Sequence, residues 1–168
     1  MIDKAKMRLY MTQIGLATLT LALTIWAADL ITGSIASRAV VVGAIASTAF
    51  ILFISPHSNT ARHRHVIGGH LVSIAIALPF ALFANSFSGV AFSFYIATAV
   101  GLSMLAMAAI NTEHPPAAGT AFAIVAHGVS FSLVLFVLIL HFLLMQHVHW
   151  ELQFHTLFST MQHHYLHL

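Results

Sequence analysis

Cysteine is absent from this 168-residue chain, and charge is nearly so: only ten residues are Lys, Arg, Asp or Glu. Without thiols there is no disulfide framework, no iron–sulfur ligand set and no thiol chemistry. A charged fraction of 6% lies far below the roughly 25% of a soluble domain. The six basic residues are too few for a nucleic-acid surface and read as determinants of membrane topology. No nucleophile–base–acid set or redox ligand set stands out, so an enzyme is not expected, nor any cofactor.

What remains is apolar. Hydrophobic residues make up 60% of the chain, and the mean hydropathy is +0.94. The charges divide it into uncharged stretches of 20 residues (Arg8 to Asp29), 23 (Arg38 to Arg62), 48 (Arg64 to Glu113) and 37 (Glu113 to Glu151). A helix needs roughly 20 mainly apolar residues to cross the ~30 Å hydrocarbon core. The chain is therefore expected to be an all-α polytopic membrane protein with about five spans. They are placed at about Tyr10–Ala28, Ala39–Ile54, Val66–Ala84, Gly89–Ile110 and Ala117–Met145, with Pro79 inside the third. No cleavable signal peptide is expected, because the first apolar run reaches Ala28 without a small-residue cleavage pattern. Residues 1–146 form the membrane domain. Residues 147–168 read as an amphipathic helix, with Trp150, Phe154, Leu157, Phe158, Met161 and Tyr165 at helical spacing among polar residues.

Five of the six Lys/Arg (Lys4, Lys6, Arg8, Arg62 and Arg64) fall on one side of this arrangement. The positive-inside rule makes that side, and the N-terminus, cytoplasmic. A bacterial inner membrane is the expected location.

Shifting the chain by 57 residues places His57 on His114, Ile67 on Ile124, His70 on His127 and Ser73 on Ser130. Either two Ala/Val/Ile-rich segments coincide by chance, or the second to fifth spans are two pseudo-repeated hairpins of like orientation. The polar breaks of such hairpins would converge.

Those breaks carry the chemistry. Asn111-Thr-Glu-His-Pro-Pro-Ala-Ala-Gly-Thr120 puts two prolines where a helix would start, followed by Ala117, Ala118, Gly119 and Thr120, side chains too small to shield the backbone. Helix-start amides exposed to a cavity attract anions, and His114 adds a directed donor. A plain proline-capped turn is the alternative. In the matching break, Ser58, Asn59 or Thr60 would begin a helix carrying Arg62 and Arg64 in its first turns, where they either draw anions inward or only fix topology. Gly68-Gly69-His70 and Ser73 share a face beside small residues that permit close packing, and His127-Gly128 and Ser130 echo them. A histidine within a span is costly unless it bonds a partner or lines a polar path. Glu113 would repel an anion unless it pairs with Arg62 or Arg64 or takes up a proton. Asp29 and Arg38 are expected to pair with each other or with water. The thirteen histidines also raise a divalent-metal reading through His147, His149, His163, His164 and His167, but no second ligand type defines a site.

The pair Ser55-Pro56…Arg64…Gly68-Gly69-His70 and His114-Pro115-Pro116-Ala117-Ala118-Gly119-Thr120-Ala121 resembles the HPP family of integral membrane proteins, over about residues 36–140. The resemblance implies a small domain usually described with four spans, and nitrite transport, as in some plastid and cyanobacterial members. Five spans and the Ala61-Arg-His-Arg-His65 loop depart from that pattern. The first expectation is thus a passive or proton-linked transporter or channel for a small inorganic anion, nitrite foremost, embedded in the lipid bilayer as a homo-oligomer. Its binding residues would be Asn111, Glu113, His114, Pro115, Pro116, Ala117, Gly119, Thr120, His57, Ser58, Arg62 and Arg64, with His70 and His127 along the path. The alternatives are a metal-binding membrane protein using the tail, and a membrane assembly protein whose last helix docks a partner.

Overall fold

A computed structural model describes residues 39–128 continuously, together with 11–15, 18–19, 21–23, 25–26, 30 and 139. Every regular element among the described residues is helical. In the continuous stretch these are α1 (Ala39–Ile54), α2 (His63–Phe83), α3 (Gly89–Ala109) and α4 (Pro115–His127), with 3₁₀ turns at Asn59–Ala61 and Ala84–Ser86.

The first three helices are apolar on every side, the pattern of helices solvated by lipid and by one another. Helix α1 stops before Ser55-Pro56, as expected where proline cannot continue the amide ladder. Helix α2 begins at His63, three residues before the expected Val66. Arg62, in extended conformation (φ −69°, ψ 147°), caps it rather than sitting in its first turn. At its far end the Ala84 amide turns back to Ala81, and the Phe80 carbonyl accepts the Tyr95 hydroxyl at 3.0 Å. That bond ties α2 to α3 where the helical ladder runs out.

Helix α4 is the centre of the bundle. It packs against α1, α2 and α3 and buries Pro116, Ala117, Thr120, Ala121, Ala123, Ile124 and Val125. Its small residues allow this: a Cβ on Gly119 would already approach the Ala44 Cβ at 3.3 Å. The expected hairpin of α1 with α2 is therefore splayed. The two share a cluster near their connection (Ala49, Leu52 and Phe53 with Ala61 and Val66), while α4 packs on both.

Two stretches, His63–Ser86 and Gly89–Ala109, are long and apolar enough to cross a membrane, and α1 is a shorter apolar helix of 16 residues. The fifth expected segment is described as far as Gly128. Its helix α4 starts at Pro115 and runs to His127, where Gly128 takes φ +79° and interrupts the ladder. Up to that break its thirteen residues span about 20 Å. The first expected span contains helical residues at 11–15, 18–19, 21–23 and 25–26. Asp29, Arg38, the end of the fifth segment and the 147–168 tail lie outside the described residues.

Candidate functional site

The helices α1 and α3 end, and α2 and α4 begin, on one side of the bundle. There the segment between α3 and α4 turns inward. Asn111 adopts φ +56°, a left-handed conformation that asparagine tolerates, and reverses the chain. The backbone then runs against the first two turns of α2 until His114 caps α4. Two glycines permit that approach. A Cβ on Gly68 would stand 2.9 Å from Thr112 Cγ2, and one on Gly69 would stand 2.8 Å from His114 Cβ and 3.0 Å from the Thr112 carbonyl.

Irregular backbone within a membrane protein is tolerated where the protein satisfies it. Here the Thr112 amide donates to Met107 O at 2.9 Å. Arg64 donates to the Ile110 carbonyl at 2.6 Å, and His65 Nδ1 donates to the Glu113 carbonyl at 3.1 Å. The Glu113 carboxylate, half exposed, lies 3.6 Å from the same His65 nitrogen. Its neighbour is therefore His65, and of the two arginines considered as its partners Arg64 is engaged with the backbone.

The inward turn buries His114 almost completely. Its Nδ1 faces the Thr60 carbonyl at 3.0 Å, and its Nε2 faces Thr48 Oγ1 at 3.0 Å. A carbonyl only accepts, so Nδ1 carries a proton. The Thr48 hydroxyl also lies 3.0 Å from the Ala44 carbonyl. Beside this pair, the ring of His70 meets that of His114 edge-on, with centroids 5.3 Å apart. His70 Nδ1 lies 2.9 Å from Thr120 Oγ1. Thr48, His70 and Thr120 are buried too. Thr48 is six residues from the end of α1 and His70 seven from the start of α2, about 9 and 10 Å inward along the helices. The result is a polar cluster drawn from α1, α2 and α4, sunk below the end of the bundle.

An open groove of about 380 Å³ runs alongside, lined by Ser47, Phe50, Ile51, Pro115 and Pro116. Its walls are thus the sequence neighbours of both Thr48 and His114.

The pattern matching residues 4–161 is that of the family described as HPP, transmembrane region. The chain belongs to this family. With its apolar helices, membership makes it an integral membrane protein. No curated protein and no solved structure matches it.

In this HPP-family chain the expected site residues divide. His114, His70 and Thr120 meet in the cluster. Pro115 and Pro116 line the groove, and Ala117 and Gly119 pack α4 into the bundle. Asn111 and Glu113 belong to the inward turn, with exposed side chains. Arg62 and Arg64 are exposed at the rim. Ser58 bonds Thr60 across its own turn at 3.1 Å, and His57 is exposed, although Thr60 in the same loop touches His114. His127 lies exposed at the far end of α4, away from His70.

One expectation is corrected outright. The start of α4 offers no spare amides beyond its cap: Pro115 and Pro116 have none, and the Ala117 amide returns to the His114 carbonyl at 2.9 Å. The residue that sequence reasoning missed is Thr48. Its only signal was a hydroxyl pair, Ser47-Thr48, in the middle of an apolar run.

Proposed function

We propose that this protein moves a small monovalent anion across the membrane, with nitrite as the first candidate, in keeping with the family resemblance carried by its two motifs. The observation that supports it is the buried cluster of Thr48, His70, His114 and Thr120 beside an open groove. An imidazole inside a membrane bundle is expensive, and an ionisable group at that depth is a first candidate for a substrate path. Such groups can stand in for the hydration shell of an ion such as nitrite, which needs only a few directed donors once desolvated. Arg62 and Arg64 at the rim raise the local anion concentration before entry. His114 and Thr48 form the innermost receiving pair, and His70 with Thr120 continues the polar path. The rim faces the cytoplasm of a bacterial inner membrane in this reading.

The test is flux into proteoliposomes of the full chain, measured against protein-free vesicles. Nitrite uptake should exceed the vesicle background severalfold and fall at least tenfold in His114→Ala, with the variant still eluting as folded protein. No protein-dependent uptake, or uptake untouched by the substitution, would defeat the reading. The histidines of the metal-binding alternative lie in the tail, outside the described residues. Among the described residues no three His, Asp or Glu side chains converge on a point.

A further inference from the structure

Moving a bare anion through this cluster raises a charge problem. Of the described residues, only Arg62, Arg64 and Glu113 carry fixed charge, and all three are exposed at the rim. Among the described residues, none places a fixed counter-charge beside a desolvated anion at the depth of Thr48, a costly state in a low-dielectric interior. The titratable groups at that depth are His70 on α2 and His114 at the cap of α4. No titratable side chain comes from α1 or α3, which contribute Thr48 and Met107. The nearest other ionisable pair, His65 with Glu113, is turned toward the rim.

His114 is built to hold a second proton. Both ring nitrogens face oxygen: the Thr60 carbonyl at Nδ1 and the Thr48 hydroxyl at Nε2. The Thr48 hydroxyl has one hydrogen and two neighbours that can take it, His114 Nε2 and the Ala44 carbonyl, each at 3.0 Å. With a neutral ring, that hydrogen points to Nε2. With an imidazolium, Nε2–H donates to Thr48 Oγ1, whose hydrogen swings to Ala44. Either state satisfies the ring without moving a heavy atom. The ring also caps a helix start, where positive charge is disfavoured unless an anion accompanies it.

We infer that the protein carries one proton with each monovalent anion, that His114 Nε2 accepts this proton when the anion enters, and that Thr48 is the positioning residue that makes the exchange reversible. This rests on the anion reading above and specifies its coupling. The step is balanced: one H⁺ bonds to Nε2 as one negative charge arrives, both leave together on the other side, and no net charge crosses.

The experiment compares initial, protein-dependent nitrite uptake in proteoliposomes under an imposed voltage and under an imposed pH gradient. For uncoupled anion movement, 60 mV is worth about tenfold in equilibrium distribution. The expected wild-type result is uptake that ignores voltage and accelerates with an inward proton gradient. Thr48→Ser should keep this behaviour and Thr48→Val should lose the proton acceleration. Voltage-driven uptake indifferent to the proton gradient, or full proton acceleration in Thr48→Val, would overturn the inference and leave anion transport standing. Absence of any uptake would instead sink the anion reading and the coupling with it.

A second readout on detergent-solubilised full chain uses ¹⁵N spectra of the histidine rings. Adding nitrite should raise the imidazolium fraction of His114, since linked ligands favour each other reciprocally. The fraction should drop in Thr48→Val, where Nε2–H loses its acceptor. A His114 signal indifferent to nitrite from pH 5 to 8 would also overturn the inference.

Discussion

His57 and His114 open two similar polar breaks on the same side of the bundle, 57 residues apart, yet one is exposed and the other is almost wholly buried. What separates them is the backbone that each precedes. After His57 the chain makes a 3₁₀ turn over Asn59–Ala61, and α2 starts at the rim. Before His114 the chain has turned inward at Asn111 and slid along Gly68 and Gly69, so α4 starts inside the bundle. The second pair diverges for the same reason. His70 sits within α2 facing Thr120, whereas its counterpart His127 ends the shorter α4 and is exposed. Buried depth, more than motif, separates these imidazoles.

The sharpest way to break this contrast is on the two histidines that head the loops. Nitrite uptake should fall at least tenfold in His114→Ala, equivalent to about 1.4 kcal/mol or more of barrier. Equal losses in His114→Ala and His57→Ala would mean that burial does not separate them.

A second test attacks the inward turn. The Cβ of Gly69→Ala would meet His114 Cβ at 2.8 Å and the Thr112 carbonyl at 3.0 Å. The second contact is backbone, which cannot swing aside as a flexible side chain would. Overpacking of this kind costs about 1–3 kcal/mol. Thermal unfolding in detergent should show a clear drop in Tm for Gly69→Ala. Gly101→Ala, with nothing within 4 Å, should leave Tm unchanged or slightly raised. A Gly69→Ala protein as stable as wild type would show that the turn is not pressed against α2.

How much of this was legible beforehand follows the same division. The charge spacing marked the apolar stretches, and the polar breaks within them, Ser55-Pro56, Asn85-Ser86 and Asn111, located α1 to its residue limits and α3 to within one residue. The proline pair marked the start of α4, since proline suits a first turn. The depth of that start was not legible. It depends on Gly68 and Gly69 receiving a loop more than 40 residues later in the chain, a tertiary contact with no local signal. The same contact hid Thr48, whose role exists only because His114 reaches it, and placed Glu113 by His65 rather than by an arginine. Gly128 was noted only as an echo of Gly68-Gly69, yet its φ of +79° is what ends α4.

A smaller effect is expected from the His70 side of the cluster. Thr120→Val keeps the shape and removes the hydroxyl 2.9 Å from His70 Nδ1. Hydrogen bonds between membrane helices average about 0.6 kcal/mol and reach about 1.7. A destabilisation of about 1 kcal/mol, with Thr120→Ser close to wild type, would fit the bond as drawn. No change in Thr120→Val would remove Thr120 from the path.

The smallest effect belongs to the exposed members of each pair. His57→Ala and His127→Ala each delete an imidazole at the surface of the described bundle, away from Thr48 and His70. Surface substitutions away from caps and buried networks usually stay within about 0.5 kcal/mol. Uptake within twofold of wild type, and Tm within a degree or two, is the expected outcome for both. A large loss in His57→Ala alone would place the entry point at the α1–α2 loop, shifting the first anion contact from the His114 cap to the rim. A large loss in His127→Ala alone would extend the path along the whole of α4, through to the Gly128 break.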